Sequence, residues 1–437
     1  MANPVGNLFR VPELKDKIVW TLFILLIYRF GAHITVPGLD VTELTRQFEA
    51  LSGTLFGVYD MFTGGGLSRA TVFALGIMPY ISASIIFQLM APVFPTIDKM
   101  QKEGEDGRKK LTQWTRYTTV VLSAAQAFGY SAFLLNMEGA VVISPVMFSI
   151  TTITFLTIGA VFVMWLGEQI TERGIGNGMS LMIFFSIIQT FPAAIVKTFE
   201  AYALEEISLV AMLMLLVVVI GVTAAVVALT MAVRKVPVQI PRKVVGRGRV
   251  REGQRSFIPI RVNSAGVMPI IFAQALITIP GTIFALSNVS WMAGIGDMFQ
   301  PTNWVYFVTY GLLIFFFTYF YTAIVINPVD MAENLKKQGA FIPGVKPGTR
   351  TAEYIEGVLN RVTLPGSIYL ALVALVPFAI TGFFQINTFF FGGTGLLIVV
   401  GVALDTVQQA EQHLLLRNYE GFMKKGRVKN RGRQRYM

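Results

Sequence analysis

Residues 234–262 read RKVPVQIPRKVVGRGRVREGQRSFIPIRV, nine lysines and arginines against one acid, Glu252. The chain on either side, 207–233 and 263–287, carries no charged residue at all. Each flank is near the ~20 residues that a helix needs to cross ~30 Å of hydrocarbon. Basic residues stay on the cytoplasmic side during insertion, so this loop also gives the direction of the two spans beside it.

Working outward from the loop, eight more apolar segments follow the same rule. The ten spans read as 18–36, 70–94, 117–135, 147–167, 178–196, 207–233, 263–287, 304–326, 362–381 and 390–410. Basic residues collect in every second gap: three in 1–17, five in 95–113, nine in 234–262, five in 327–361 and eight in 411–437. With one more in the short gap after span 4, that side carries 31, against three on the other. Both termini are therefore expected in the cytoplasm. The composition agrees, with 54% hydrophobic and 14% charged residues and a mean hydropathy of +0.61. In lipid every backbone polar group must be satisfied internally, so the spans are expected to be helices. The first segment lacks a small-residue cleavage site and nine more follow it, so it reads as a span and not as a removed signal. The chain has no cysteine, which excludes disulfides, thiol catalysis and thiolate metal sites.

Ten spans divide into halves 1–196 and 197–410, followed by a basic tail 411–437. Five spans per half is odd, so the second half is expected upside down about an axis in the membrane plane. The second span of each half carries a similar hexapeptide, Gly-Ile-Met-Pro-Tyr-Ile at 76–81 and Gly-Val-Met-Pro-Ile-Ile at 266–271. Glycine and proline three apart predict loosened helical bonding within the span, either an ordinary kink or a helix at a moving seam. Between spans 1 and 2, TLFGVYDMFTGGGLSR (54–69) is too short to cross. It reads either as a re-entrant piece buried in protein or as an amphipathic helix on the bilayer surface.

The spans hold almost no ionisable groups. Arg29, near the outer end of span 1, can snorkel; Asp405 lies near the inner end of span 10 and Glu168 flanks span 4. His33 and His413 sit at span ends, and no zinc-hydrolase, nucleophile-elbow or phosphate-loop motif is present. No cofactor and no enzymatic activity are expected. A coupled pump would place charges inside the membrane, so anything this chain moves is expected to be driven from elsewhere.

Long stretches resemble the SecY family, the channel subunit of the bacterial protein translocon and its eukaryotic α-subunit homologues. They are YDMFTGGGLSRATVFALGIMPYISASIIFQL (59–89), GEQITERGIGNGMS (167–180), NSAGVMPIIFA (263–273), NPVDMAENLKKQGAFIPGVKPGTRTAEYI (327–355) and FGGTGLLIVV (391–400). The resemblance implies an all-α, polytopic channel of ten transmembrane helices in two inverted halves around a central hourglass pore. It implies that Ile77, Ile81, Met179, Ile183, Ile271 and Ile398 form the constriction, with Met179 standing where the family usually has isoleucine. It implies a plug at about 55–69, centred on Tyr59, Asp60, Met61, Phe62, Thr63, Gly64, Gly65, Gly66 and Leu67. Spans 2 and 7 then resemble helices of a lateral gate, with spans 3 and 8 beside them. The partners implied are SecE, SecG, the ATPase SecA, the ribosome and preprotein signal sequences, in a bacterial inner membrane. Loop 234–262, through Arg242, Lys243, Arg247, Arg249, Arg251 and Arg255, is expected to meet a partner such as ribosomal RNA, with anionic lipid as the simpler alternative. In loop 327–361 Lys346 and Arg350 join that surface; Lys346 replaces the family's usual arginine and loses its planar fork. The rival readings are a small-solute transporter, an intramembrane hydrolase and an insertase without an aqueous path.

Overall fold

The computed structural model describes residues 12–50, 54–137, 139–205, 207–240, 243–245, 249–251, 255–285, 294, 296, 298–300, 303–384 and 393–425. All ten apolar segments fall on helix. The first half contains α1 (Pro12–Gly31), α2 (Val41–Ala50), α3 (Leu55–Thr63), α4 (Met78–Met90), α5 (Pro95–Lys102), α6 (Glu105–Leu135), α7 (Pro145–Arg173), α8 (Gly178–Ile188) and α9 (Phe191–Ala203). The second contains α10 (Leu209–Met231), strands β1 (Val233–Gln239), β2 (Lys243–Val245), β3 (Arg249–Arg251) and β4 (Arg255–Arg261), then α11 (Met268–Ala285), α12 (Trp304–Val325), α13 (Pro328–Lys337), α14 (Thr349–Phe384) and α15 (Gly393–Lys425).

Six helical stretches among the described residues are long and apolar enough to cross a membrane, or seven with the bent pair α4–α5. The rest are shorter or carry charge at their ends, as at α1 and α15. Polar side chains mark several starts: Asn177 accepts from the Met179 and Ser180 amides, Ser208 from Ala211 and Asn303 from Val305. Each satisfies a donor that the first helical turn leaves unpaired.

The inverted repeat is visible in who touches whom. In the first half α4 packs on α6, α6 on α7, α1 on α7 and α7 on α8. In the second half α11 packs on α12, α12 on α14, α10 on α14 and α14 on α15. The same neighbour pattern thus appears twice, with α4 matching α11 and α8 matching α15. The halves meet along two seams, α4 against α11 and α8 against α15.

Three details correct the sequence expectations. Span 5, read as 178–196, is one spanning stretch that runs on to Ala203, with a turn at Gln189 and Thr190 between α8 and α9. Span 2, read as continuous from 70, is helical only from Met78; residues 64–77 form successive turns. The twin hexapeptides are therefore helix starts and not kinks inside helices. Gly76 and Gly266 adopt φ of +54° and +63°, angles that glycine reaches without steric cost. The prolines then fall in the first turn of α4 and α11, where a missing N–H breaks no helical bond.

The two basic loops share one lobe. β1 pairs with β4 from Val233↔Arg261 to Gln239↔Arg255, and β2 with β3 inside that hairpin. Gln239 and Phe341 exchange both backbone hydrogen bonds, at 2.9 and 3.0 Å. Val236, Val238 and Ile260 pack with Ala340, Ile342, Ile355 and Leu359 in a core separate from the main one. Lys243 lies in β2, Arg249 and Arg251 in β3, and Arg255 in β4. Arg242 and Arg247 lie outside the described residues. Lys346 and Arg350 are exposed on the same lobe.

Candidate functional site

Four helices bring the six aliphatic side chains together. Ile77 precedes α4 as its cap residue and Ile81 follows one turn on, its N–H donating to the Ile77 carbonyl at 3.1 Å. Met179 and Ile183 are likewise one turn apart on α8, Ile271 lies in the first turn of α11, and Ile398 is early in α15. The five isoleucines are 0–5% exposed and belong to the main core; Met179 packs half-buried against it. Helix α4 touches α11, α11 touches α15, and α15 touches α8. The circuit closes through α7: a Cβ at Gly167 would stand 2.6 Å from Met179 Sδ and 3.8 Å from Ile77 Cδ1. Glycine at 167 is what lets both side chains reach the centre. All six residues thus belong to the main core or pack against it, on helices drawn from both halves of the chain.

Helix α3 and the glycine turn after it lie beside Gly76 and Gly395, close in sequence to Ile77 and Ile398. Thr54 caps the helix through the Phe56 amide, and Gly64 ends it in the left-handed conformation, φ +70°. The helix packs on α8 from one half and on α11 from the other. A Cβ at Gly76 would come 3.3 Å from Thr63 Cγ2, and one at Gly395 of α15 would come 3.1 Å from Met61 Sδ. Tyr59, Met61, Phe62, Thr63 and Leu67 are all buried, which excludes an amphipathic helix lying on the bilayer surface.

Polar tethers from the first half hold this segment. Tyr59 donates to the Leu75 carbonyl at 3.2 Å, and Tyr130 of α6 donates to the Leu67 carbonyl at 2.6 Å. Gln189, at the end of α8, donates through Nε2 to the Gly64 carbonyl at 2.8 Å. Its Oε1 in turn accepts from the Arg29 guanidinium. Arg29 therefore does more than snorkel: it orients the glutamine that holds the glycine turn. Across the second half the contacts are apolar, as at Met61 against Gly395.

The model of one family, described as SecY, matches residues 71–407. The chain belongs to the SecY family. Among its relatives is a protein translocase subunit SecY of Aquifex aeolicus, 42% identical over 431 residues, covering 97% of this chain and 100% of that protein. Another is the protein translocase subunit SecY of Escherichia coli K12, 42% identical over 428 residues and covering 96% of each. A solved protein-conducting channel covers 98% of this chain and 100% of its own, with a TM-score of 0.67 at 17% identity. Sec61 in the canine ribosome-channel complex from the endoplasmic reticulum gives 0.61 at 17% identity, covering 98% and 100%. The SecY-family chain thus shares the fold of protein-conducting channels. It is a membrane protein of several spanning helices, as its apolar segments require.

Sequence reasoning on this family left several residues unassigned. Gln189, Tyr130 and Gly167 act through contacts with residues 12 or more positions distant in the chain, and no local pattern marks them. Arg29 did carry a signal, because a charge inside an apolar span calls for a partner. An ion pair lies between α6 and α7, where Arg116 donates to both carboxylate oxygens of Glu168 at 2.9 and 2.8 Å. This bidentate pair neutralises the acid that the sequence places beside span 4.

Proposed function

We propose that this translocase-family channel passes unfolded polypeptide through the ring of Ile77, Ile81, Met179, Ile183, Ile271 and Ile398. The reading is supported by five buried isoleucines and the half-buried Met179, carried by four mutually packed helices of both halves in or against one core. Such a ring excludes water and ions at rest, yet has no fixed bonds to break when a chain pushes it apart. Residues 55–69 are the plug: α3 blocks one face of the ring and rests on both halves, so parting the halves removes half of its support. The α4–α11 seam is the lateral gate, through which an apolar segment reaches lipid. Among the described residues its joints are side-chain packing, which lipid-like helices can replace.

The orientation follows from the basic gaps, with both termini and the 234–262/327–361 lobe in the cytoplasm of a bacterial cell. The lobe would meet SecA or the ribosome through its arginines and lysines, SecE and SecG would flank the helices, and anionic lipids would meet the rim. The chain performs no chemistry of its own, so SecA or the elongating ribosome supplies direction. The two halves move about these seams, with the limit between them after helix α9 at Ala203 and not inside it at 196.

The test is to place a photo-crosslinker at position 81 or 271 and stall a secretory chain in the membrane. Crosslinks from both positions to the stalled chain are expected. A chain that is exported while neither position ever touches it excludes this path, and leaves an insertase or a small-solute carrier.

The plug tethers give a prediction of their own. Replacing Gln189 with leucine removes the bond to Gly64 and leaves that carbonyl and Arg29 unpaired. Losing one such bond costs about 1–3 kcal/mol, enough to make plug opening roughly ten times more frequent. Brief ion-conducting openings in planar bilayers are expected to rise accordingly, with export of a secretory chain retained. Opening frequency equal to the parent's would show that Gln189 does not hold the plug.

A further inference from the structure

On the face of the ring opposite the plug lies a cavity of about 230 Å3, lined in part by Asn177, Arg261, Asn263, Gly266, Asp405 and Gln409. Two acceptors there have no donor. Asn263 is 6% exposed and spends its Nδ2 on the Gly266 carbonyl at 3.0 Å. Its Oδ1 is thereby fixed as an acceptor, and among the described residues nothing donates to it. The Asp405 carboxylate faces the same turn, since a Cβ at Gly266 would stand 3.3 Å from its Oδ2. Among the described residues no side chain or amide donates to that carboxylate, and no cation pairs with it directly. Arg261 is nearby but exposed at the rim, acting on Asp405 only at a distance.

A buried amide oxygen without a donor is costly, and a partly buried carboxylate without a counter-charge more so. Two such oxygens converging on residues 263–266 fit a ligand that brings hydrogen-bond donors and positive charge together, an ammonium or a guanidinium. The cavity opens where α11 begins, walled by the start of α8, by α12 and by α15, on the side of the β4 strand that carries Arg261; α11 is also the helix that forms the seam with α4. A segment leaving through that seam keeps its basic flank on the non-crossing side, which is this one.

We propose that the Asn263–Asp405 cavity binds a lysine or arginine side chain of the polypeptide in transit, the basic flank of a membrane-inserting segment. Arg261 shields the carboxylate when the site is empty and gives way to the incoming cation. The site thereby biases which flank of the segment stays behind. This rests on the reading of the chain as a channel with a gate at the α4–α11 seam.

The test uses the full chain in its native complex in cells, with reporters bearing one inserting segment. The flank carries either lysines or glutamines, and the measured quantity is the share inserted with that flank retained. Asp405→Asn is expected to reduce the preference for the lysine flank about three- to tenfold, the range for a charge-assisted contact that is partly open to water. Arg261→Gln, which removes the competing cation, is expected to raise it. If Asp405 serves only the start of α11, Asp405→Asn lowers thermal stability with flank preference unchanged, and the proposal fails. It fails equally if both variants alter lysine- and glutamine-flanked reporters alike, the result expected when Arg261 and Asp405 only pair with each other. Should Asp405→Asn not accumulate, Arg261→Gln decides alone, unchanged preference overturning the proposal. Failure of the unmodified chain to insert either reporter would sink the channel reading instead.

Discussion

With asparagine in place of Ile271, the resting channel is expected to conduct ions. Ile271 is 2% exposed in the first turn of α11. Asparagine is smaller and brings a polar group into a place with no partner, at a cost of about 1–3 kcal/mol. Admitting water is how the site recovers that cost, and a hydrated constriction no longer blocks small ions. Ile81→Asn is expected to act the same way from across the α4–α11 seam. Ile271→Leu, close in volume, costs less than ~1.5 kcal/mol and is expected to stay sealed. Resting conductance in planar bilayers decides: asparagine variants as tight as the parent would remove the ring from the mechanism.

The second large effect is expected at Gly178. A Cβ there would sit 1.9 Å from the Gly167 carbonyl oxygen and 2.8 Å from Thr171 Oγ1. The obstacle is backbone, so no rotamer change relieves it, and α8 must move away from α7. Gly178→Val therefore exceeds the ~1–3 kcal/mol typical of overpacking and displaces the adjacent Met179 from the ring. Expected are little folded protein in detergent and, for what remains, a leaking channel. Gly129→Ala in α6, with open space around it, is the contrast; it is expected to be neutral or to gain up to about 1 kcal/mol. A Gly178→Val protein with parental thermal stability would mean that the α7–α8 approach is looser than described.

Much of the fold was legible because lipid imposes one rule on every span. Ten apolar segments mapped to helix, and their odd number per half predicted the inverted pairing seen between α4 and α11 and between α8 and α15. The hexapeptides were legible as special but not as helix starts, because Gly76 and Gly266 reveal their role only through a positive φ. The basic loops were legible as charge, whereas their union into one lobe depends on Gln239 meeting Phe341, residues far apart in the chain. For the ring, periodicity alone favoured lipid-facing or core residues, and the family resemblance supplied the set.

Local chemistry by itself determined the spans, their alternation and the side on which positive charge collects, since hydropathy and charge act residue by residue. Only tertiary structure decided that Gln189 and Arg29 hold the glycine turn, that the twin hexapeptides start their helices, and that Asp405 and Asn263 stand together with no donor among the described residues. Those outcomes depend on distances between helices, and a helix presents the same apolar face in sequence whether lipid or a closed ring lies against it.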